Sequence, residues 1–211
     1  MITASSTPCS NCEARANDCP GIQLWETERE SWYRVGREGS AMKLWDQKVE
    51  PYADRLEAAQ GAVLCDLALD VVEATLPLFD PPFSEFFPEE HATLIQSAID
   101  VRRSSSADWW RDGDFAEGFR AQYDALPQVP VRPAVGPFLT GLVRLFEALP
   151  EAVTADDTLE ILSSCYEAVL MSHLTGRVTL WDEENSERCR EAVEQQIRII
   201  EDRVPPAPAA S

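Results

Sequence analysis

Residues 62–76 read AVLCDLALDVVEATL, and this stretch has the clearest helical periodicity in the chain. Its apolar side chains recur every three or four residues and form one broad stripe, made of Leu64, Leu67, Ala68, Val71, Val72 and Leu76. Asp66, Asp70 and Glu73 fall on the other side. Such a stripe is typical of an amphipathic α-helix packed on a core. We therefore predict a buried helix that ends before Pro77.

Helical patterns continue on both sides of this stretch. Apolar spacing predicts later helices that begin near Pro88, near Asp114, after Pro137 and at Thr154, and a more solvated last helix over residues 182–203. Two less regular helical segments, residues 24–39 and 42–60, come first. No stretch alternates convincingly between apolar and polar residues as a strand would. The fold class is therefore predicted to be all-α, an irregular bundle of about seven helices.

The two ends of the chain differ in composition from the helical region. Residues 1–21 are rich in Ser, Asn, Cys and Pro and lack a hydrophobic period, which predicts an irregular, cysteine-containing arm. Residues 205–211 are a Pro/Ala-rich tail, which we expect to be disordered because proline removes backbone donors and fixes φ. Between them, residues 22–204 are long enough to form a single helical domain.

The chain is strongly acidic. Its 37 Asp and Glu residues against 18 Lys and Arg give a formal net charge of −19. Nucleic-acid binding and binding to an anionic membrane are both disfavoured, because each needs clustered cations. No apolar stretch approaches the roughly 20 residues that span a bilayer, and the N-terminus does not resemble a secretory signal. We expect a cytoplasmic protein with reduced cysteines, whose charge serves either solubility alone or attraction of a basic protein partner.

Cys9-Ser-Asn-Cys12, followed by Cys19, is the motif that most resembles a metal site. Three thiolates at this spacing are candidate ligands for zinc or an iron–sulfur cluster. The spacing is similar to the Cys-x-x-Cys-x5-Cys run of WhiB-like iron–sulfur regulators, although the last gap is one residue longer and their basic tail is missing. No histidine lies nearby as a fourth ligand, and a flexible arm with three reduced thiols is the alternative. The remaining cysteines fall on predicted core stripes: Cys65, Cys165 and Cys189.

Asp66, Asp70 and Glu73 lie at positions i, i+4 and i+7 of one helical face. Class I isoprenoid synthases hold magnesium with acidic residues on helices, so a magnesium-dependent enzyme is one hypothesis. The adjacent aspartates of their first motif are absent here, and Arg190 stands where their second motif, read from Asp182, has a glutamate. A solvated acidic face of an amphipathic helix is the simpler interpretation.

The histidines provide no local support for catalysis. The chain has two, His91 and His173, and neither follows a glutamate by three residues, as the ligands of a di-iron bundle do. Gly-x-Ser-x-Gly and phosphate-cradling glycine motifs are also missing. We expect His173, near a predicted helix C-terminus, to have a structural role. No residue is therefore proposed as catalytic from the sequence, which favours a protein that is not an enzyme.

Trp109 and Trp110 are adjacent and precede Asp112 by a few residues. Neighbouring side chains of a helix cannot both face the same core, so one of the tryptophans is a candidate for an exposed anchor that binds a partner. Burial of both under the proline-rich connector is the alternative. We take these three residues as candidate partner-binding residues.

Residues 62–203 resemble the YjaG-like family of all-helical bacterial proteins and related immunity proteins of polymorphic toxin systems. The similarity is carried by Leu64-Cys65-Asp66-Leu67-Ala68 through Leu76-Pro77-Leu78-Phe79, by Ala98-Ile99-Asp100-Val101, and by the order of the late helices. The resemblance implies a helical binding protein and, for the immunity members, a toxin partner. It supplies no catalytic residues and does not include the cysteine arm.

These observations favour a non-enzymatic protein–protein interaction protein, an acidic immunity-like factor that binds a basic protein partner. Two alternatives stay open. One is a metal-binding or redox-sensing protein that uses Cys9, Cys12 and Cys19, with zinc or an iron–sulfur cluster as cofactor. The other is the magnesium-dependent helical enzyme. The sequence does not indicate an oligomeric state.

Overall fold

The computed structural model describes residues 42–104, 115–128 and 132–206. Over these ranges the chain is all-α and contains no strand, which confirms the predicted fold class. None of the helices in this part is long and apolar enough to cross a membrane. The predicted arm, residues 1–21, and the helical segment predicted over residues 24–39 lie outside the described residues.

The helices follow the order of the apolar patterns. They are α1 (Lys43–Lys48), α2 (Ala53–Glu57), α3 (Gly61–Thr75), α4 (Phe83–Phe86), α5 (Glu89–Ser104), α6 (Phe115–Ala125), α7 (Val135–Glu147), α8 (Ala155–His173), α9 (Leu180–Asn185) and α10 (Glu187–Arg203). Short 3₁₀ turns at Glu50–Tyr52, Leu76–Leu78 and Pro150–Ala152 contain prolines at their starts. Pro51 thus divides the predicted helix over residues 42–60, because its ring cannot occupy a helix interior.

The core forms where α3 and α8 pack on each other and on α7 and α10. The predicted stripe is buried along α3, and its last member, Leu76, is half-buried in the 3₁₀ turn that follows. Leu69, outside the stripe, is buried as well, so this helix is covered on more than one side. Helix α8 lies at the centre of these contacts, and its side chains Ile161, Leu162 and Val169 are completely buried. Removal of this apolar surface from water is the main force that holds the bundle together.

A cluster of phenylalanines fixes the loop between α3 and α5. The rings of Phe79 and Phe138 meet edge to face with centroids 5.5 Å apart, and Phe83 stacks on Phe87 at 4.5 Å. Aromatic pairs in these arrangements gain energy beyond their buried area. Asp80, which follows Phe79 in the chain, is thereby held against the C-terminal end of α8. There its backbone N–H donates to the Ser172 hydroxyl at 3.2 Å.

Polar caps define the ends of the late helices. Thr154 caps α8 as predicted, in a reciprocal capping box with Asp157. The chain leaves α8 after His173, and Gly176 adopts φ of 81° in the turn that follows. The prediction of one continuous helix over residues 182–203 is wrong. Ser186 interrupts it, because its hydroxyl caps α10 by accepting the Cys189 N–H at 3.2 Å.

Gly61 permits a close approach at the start of α3. A Cβ at this position would overlap the Glu151 carbonyl and lie 3.1 Å from the Val153 carbonyl oxygen. We predict that Gly61→Ala lowers the free energy of unfolding by roughly 1–3 kcal/mol, the usual cost of overpacking. Gly118 in α6 is the matched control, because a Cβ there meets nothing within 4 Å. Gly118→Ala should stabilise by about 0.5–1 kcal/mol. Urea unfolding followed by circular dichroism measures both, and equal stability of Gly61→Ala and wild type would contradict the packing.

Asp157 makes stability depend on pH. Burial opposes its ionisation, but hydrogen bonds from Thr154 and the Arg144 guanidinium, 2.6 Å away, outweigh this and lower its pKa. The unfolded chain therefore binds the proton more readily, so the stabilisation is present above about pH 4 and is lost as pH falls through the folded pKa. We predict that Asp157→Asn loses about 1 kcal/mol at pH 7 and much less near pH 2. Asp156→Asn, one residue earlier and exposed, should change little. An equal loss at both pH values would contradict the assignment.

Candidate functional site

Helix α9 is only six residues long, and a helix of this length is unstable unless other contacts hold it. Its start is fixed by a capping box. The Thr179 hydroxyl accepts the Asp182 N–H at 3.4 Å, and the Asp182 carboxylate accepts the Thr179 N–H at 2.8 Å. The hydrogen bonds from the Thr179 hydroxyl and backbone lower the pKa of Asp182. A rigid first turn results.

The second support of α9 is Glu183, a completely buried carboxylate. It accepts three hydrogen bonds: from the backbone N–H groups of Lys43 and Leu44, both at 3.0 Å, and from the Tyr166 hydroxyl at 2.6 Å. Met42, at the N-cap of α1, has no side-chain acceptor, so a carboxylate about 140 residues away in sequence caps that helix instead. Burial raises the pKa of Glu183, and the three hydrogen bonds to the charged form oppose the rise.

Tyr166 extends this buried polar cluster toward α10. Burial, and then the hydrogen bond to Glu183, raise the pKa of Tyr166, so its hydroxyl stays protonated and donates. The buried Cys189 thiol lies close to Ser186 and Tyr166 and 4.0 Å from His173 Nε2. Burial also raises the pKa of Cys189, which keeps the thiol neutral. The cluster thus leads from the α1 cap to the histidine at the end of α8.

His173 forms a short hydrogen bond with Ser186. Its Nδ1 lies 2.9 Å from the Val169 carbonyl oxygen, and its Nε2 lies 2.7 Å from Ser186 Oγ. A carbonyl oxygen only accepts, so Nδ1 carries the hydrogen and, in the neutral ring, Nε2 accepts the hydroxyl proton of Ser186. The pair is only partly buried, at the break between α9 and α10.

An open cavity of about 480 Å³ lies over this pair. We call it the Trp181 groove. It is lined by residues of the loop after α3, the end of α8, helix α9 and the start of α10: Asp80, His173, Leu174, Trp181, Asp182, Asn185, Ser186, Glu187 and Arg188. The phenylalanine cluster therefore positions the loop that carries Asp80, and the caps at Thr179 and Ser186 position the starts of α9 and α10.

Trp181 is 69% exposed, more than any other large apolar side chain in the described part of the chain. Its exposure follows from helix geometry. Trp181 and Glu183 are two residues apart, which places them about 200° apart around the helix axis. Because Glu183 faces the interior, Trp181 faces solvent. The Asn185 side chain donates to the Trp181 carbonyl at 2.7 Å and reinforces this turn.

The groove is negatively charged. Asp80, Asp182 and Glu187 contribute carboxylates to its lining, and within the described ranges none of them forms an ion pair. Among the described residues that line the groove, Arg188 is the one lysine or arginine, and it pairs with Glu191 at 3.2 Å. An exposed indole next to carboxylates is a surface that attracts cationic groups.

The acidic face predicted on α3 is engaged in ion pairs. Arg103 contacts Asp70 at 2.9 Å and Glu73 at 2.8 Å, and Arg203 contacts Asp70 at 2.6 Å and Asp66 at 4.0 Å. In the described residues, no group of three or more His, Cys, Asp or Glu side chains is placed to hold a metal ion. These carboxylates join α3 to α5 and α10.

For the other residues singled out in the sequence, the structure confirms the predicted burial of three cysteines and does not describe the rest. Cys65, Cys165 and Cys189 are buried, as their positions on apolar stripes predicted. The other candidates lie outside the described residues: Trp109, Trp110 and Asp112 for partner binding, and Cys9, Cys12 and Cys19 for metal binding. Trp181 was missed by sequence reasoning. The capping-box motif Thr179-x-x-Asp182 could have revealed it, because this motif starts a helix at Leu180, two residues before the predicted start.

Comparisons with known proteins do not extend these observations. No protein-family model, curated protein or solved structure matches the chain significantly. The resemblance to YjaG-like and immunity proteins therefore stays a prediction. We infer function from the residues of the groove itself.

Glu183→Gln tests the buried anchor. The amide offers one acceptor oxygen instead of two, and its NH₂ group faces either the Lys43 N–H or the Leu44 N–H and the Tyr166 hydroxyl, so at least one donor loses its partner. We expect the free energy of unfolding to fall by about 1–3 kcal/mol. The adjacent Glu184 is exposed, and Glu184→Gln should stay within about 0.5 kcal/mol of wild type. Chemical unfolding compares the two, and equal stability would show that Glu183 contributes nothing as an anchor.

Proposed function

We propose that this chain is a protein-binding module that uses the Trp181 groove to dock a basic segment of a partner protein. The observation that carries the proposal is the 69% exposure of Trp181 beside an open cavity. Tryptophan is among the residues that contribute most to protein interfaces, because its large rigid surface is buried at little cost in conformational entropy. Burial of the exposed indole under a partner protein would therefore favour binding.

The charge of the groove favours a basic partner. The carboxylates of Asp80, Asp182 and Glu187 line the same groove as the indole and form no ion pair in the described part of the chain. Lysine or arginine side chains would neutralise them, and an arginine can also stack on the indole face. The net charge of −19 adds a long-range field that speeds the approach of such a partner.

The contacts that hold α9 in place support its use as a docking surface. Its first turn is held by the Thr179–Asp182 capping box, and its inner side is held by the buried Glu183. Because the indole is presented on a turn that is already ordered, little entropy is lost when a partner binds. This preorganisation is what a docking surface requires.

The proposal agrees with the hypothesis from the sequence of an acidic, immunity-like factor that binds a basic protein partner. If the family resemblance holds, the basic partner is a toxin domain. A protein that blocks a basic toxin would present carboxylates where the toxin presents its own cations. The groove offers such carboxylates at one place on the surface.

The experiment compares the partners that full-length wild type and Trp181→Ala retain from a lysate of the source cells, with identification by mass spectrometry. We expect a basic protein in stoichiometric amount on wild type and at least tenfold weaker retention on Trp181→Ala, since truncating an interface tryptophan commonly costs about 2 kcal/mol or more. Leu149→Ala is the matched control, because Leu149 is the other exposed large apolar side chain of the described part, at 40%. It should retain the partner.

Carbodiimide cross-linking of the retained complex locates the contact. The reagent joins a carboxylate to a nearby lysine amine, so cross-links should involve Asp80, Asp182 or Glu187. Retention should also weaken as salt is raised, because salt screens exposed charges. Equal retention by wild type and Trp181→Ala, or cross-links confined to other carboxylates, would contradict the proposal.

A further inference from the structure

The floor of the Trp181 groove contains a hydroxyl and an imidazole in the arrangement of a nucleophile and its base. Ser186 Oγ and His173 Nε2 are 2.7 Å apart, and the Val169 carbonyl fixes the ring by accepting from Nδ1 at 2.9 Å. An activated nucleophile needs these three parts: a hydroxyl, a base within about 2.6–3.2 Å, and a group that orients the base. Binding of a protein partner does not require them.

The comparison with the two other hydroxyl caps makes this pair distinctive. At Thr154 and Thr179 the hydroxyl donates to the carboxylate of an aspartate three residues later, at 2.7 and 2.6 Å. Ser186 has Cys189 at that position, and its proton is directed to a histidine from another helix instead. Capping α10 uses only a lone pair of Ser186, which accepts the Cys189 N–H. The cap of α10 therefore does not require the hydrogen bond between Ser186 and His173.

The pair also has access to a ligand. Both residues line the cavity of about 480 Å³, which is within the range of small-molecule sites, about 300–1,000 Å³. The carboxylates of Asp80, Asp182 and Glu187 disfavour an anionic compound. The exposed indole of Trp181 offers a face for an apolar or cationic group.

We propose that Ser186 is a nucleophile that accepts an acyl group from an activated ester, with His173 as the general base. The ester class that fits the groove is one whose alcohol portion is uncharged or cationic while it is still part of the ester. This activity goes beyond partner docking and uses different atoms of the same groove.

The reaction balances with water as the only other reactant. Ser186 Oγ attacks the ester carbonyl carbon while its proton moves to His173 Nε2. The carbon–oxygen bond to the leaving group then breaks, and the leaving alcohol takes that proton. Water subsequently attacks the acyl carbon, gives a proton to Nε2, and releases the carboxylic acid as Ser186 Oγ regains the proton. The Val169 carbonyl keeps the ring in the required tautomer throughout.

The experiment uses p-nitrophenyl acetate with the full-length protein, with stopped-flow detection of nitrophenolate and peptide mass spectrometry to locate the acetyl group. We expect acetyl-Ser186 in wild type, and no label on Thr154 or Thr179. His173→Gln should slow acetylation at Ser186 at least tenfold, because a positioned base contributes factors of about 10²–10⁴. Ser186→Asn keeps an oxygen that can cap α10, so it should unfold like wild type but lose the nitrophenolate burst.

Two results would overturn the proposal. One is acetyl found only on amines such as Lys43 and Lys48, and the other is an equal burst in wild type and Ser186→Asn. The second variant also separates this activity from docking. Ser186→Asn leaves the Trp181 indole and the groove carboxylates in place, so it should lose acetylation and still retain the partner.

Discussion

A buried carboxylate joins parts of this protein that are far apart in sequence. Taking a charge out of water is costly unless hydrogen bonds replace the lost hydration, and Glu183 obtains three: two from the first turn of α1 and one from Tyr166 at the centre of α8. A second buried link acts alongside it, since the Trp45 indole donates to the Gln196 side chain at 2.8 Å and Gln196 donates to the Leu162 carbonyl at 3.0 Å. Helix α1, which is six residues long, owes its position to these polar contacts together with the burial of Leu44 and Trp45.

The same carboxylate shapes the surface. Because Glu183 turns one side of α9 inward, the other side must present Trp181 to solvent, and the chain must then turn at Ser186 before α10 begins. The turn places a hydroxyl next to the last residue of α8. Partner binding and acyl transfer are thus both proposed at the Trp181 groove for a single reason. The short helix α9 is anchored on its inner side by Glu183, and its outer side is exposed to solvent.

The sequence predicts the parts of this molecule that depend on apolar periodicity and local caps. The stripe of α3, the cap at Thr154 and the buried cysteines were all visible in residue spacing. Periodicity cannot reveal a buried Glu183, because glutamate counts as a surface residue until donors from α1 and α8 are known to surround it. It also missed the break at Ser186, since the residues on both sides continue a helical pattern and the cap forms only through a hydroxyl. The pairing of Ser186 with His173 depends on how α8 and α10 meet, which no local pattern contains.

The ion pairs on α3 have a consequence for the electric field around the molecule. Arg103 and Arg203 bring two positive charges to the three carboxylates of Asp66, Asp70 and Glu73, so the summed charge of this face falls from −3 to −1. The carboxylates at the groove have no such compensation in the described part of the chain. Of these two surfaces, the groove therefore attracts a cationic molecule more strongly, so an arriving basic segment is drawn to Trp181 rather than to α3.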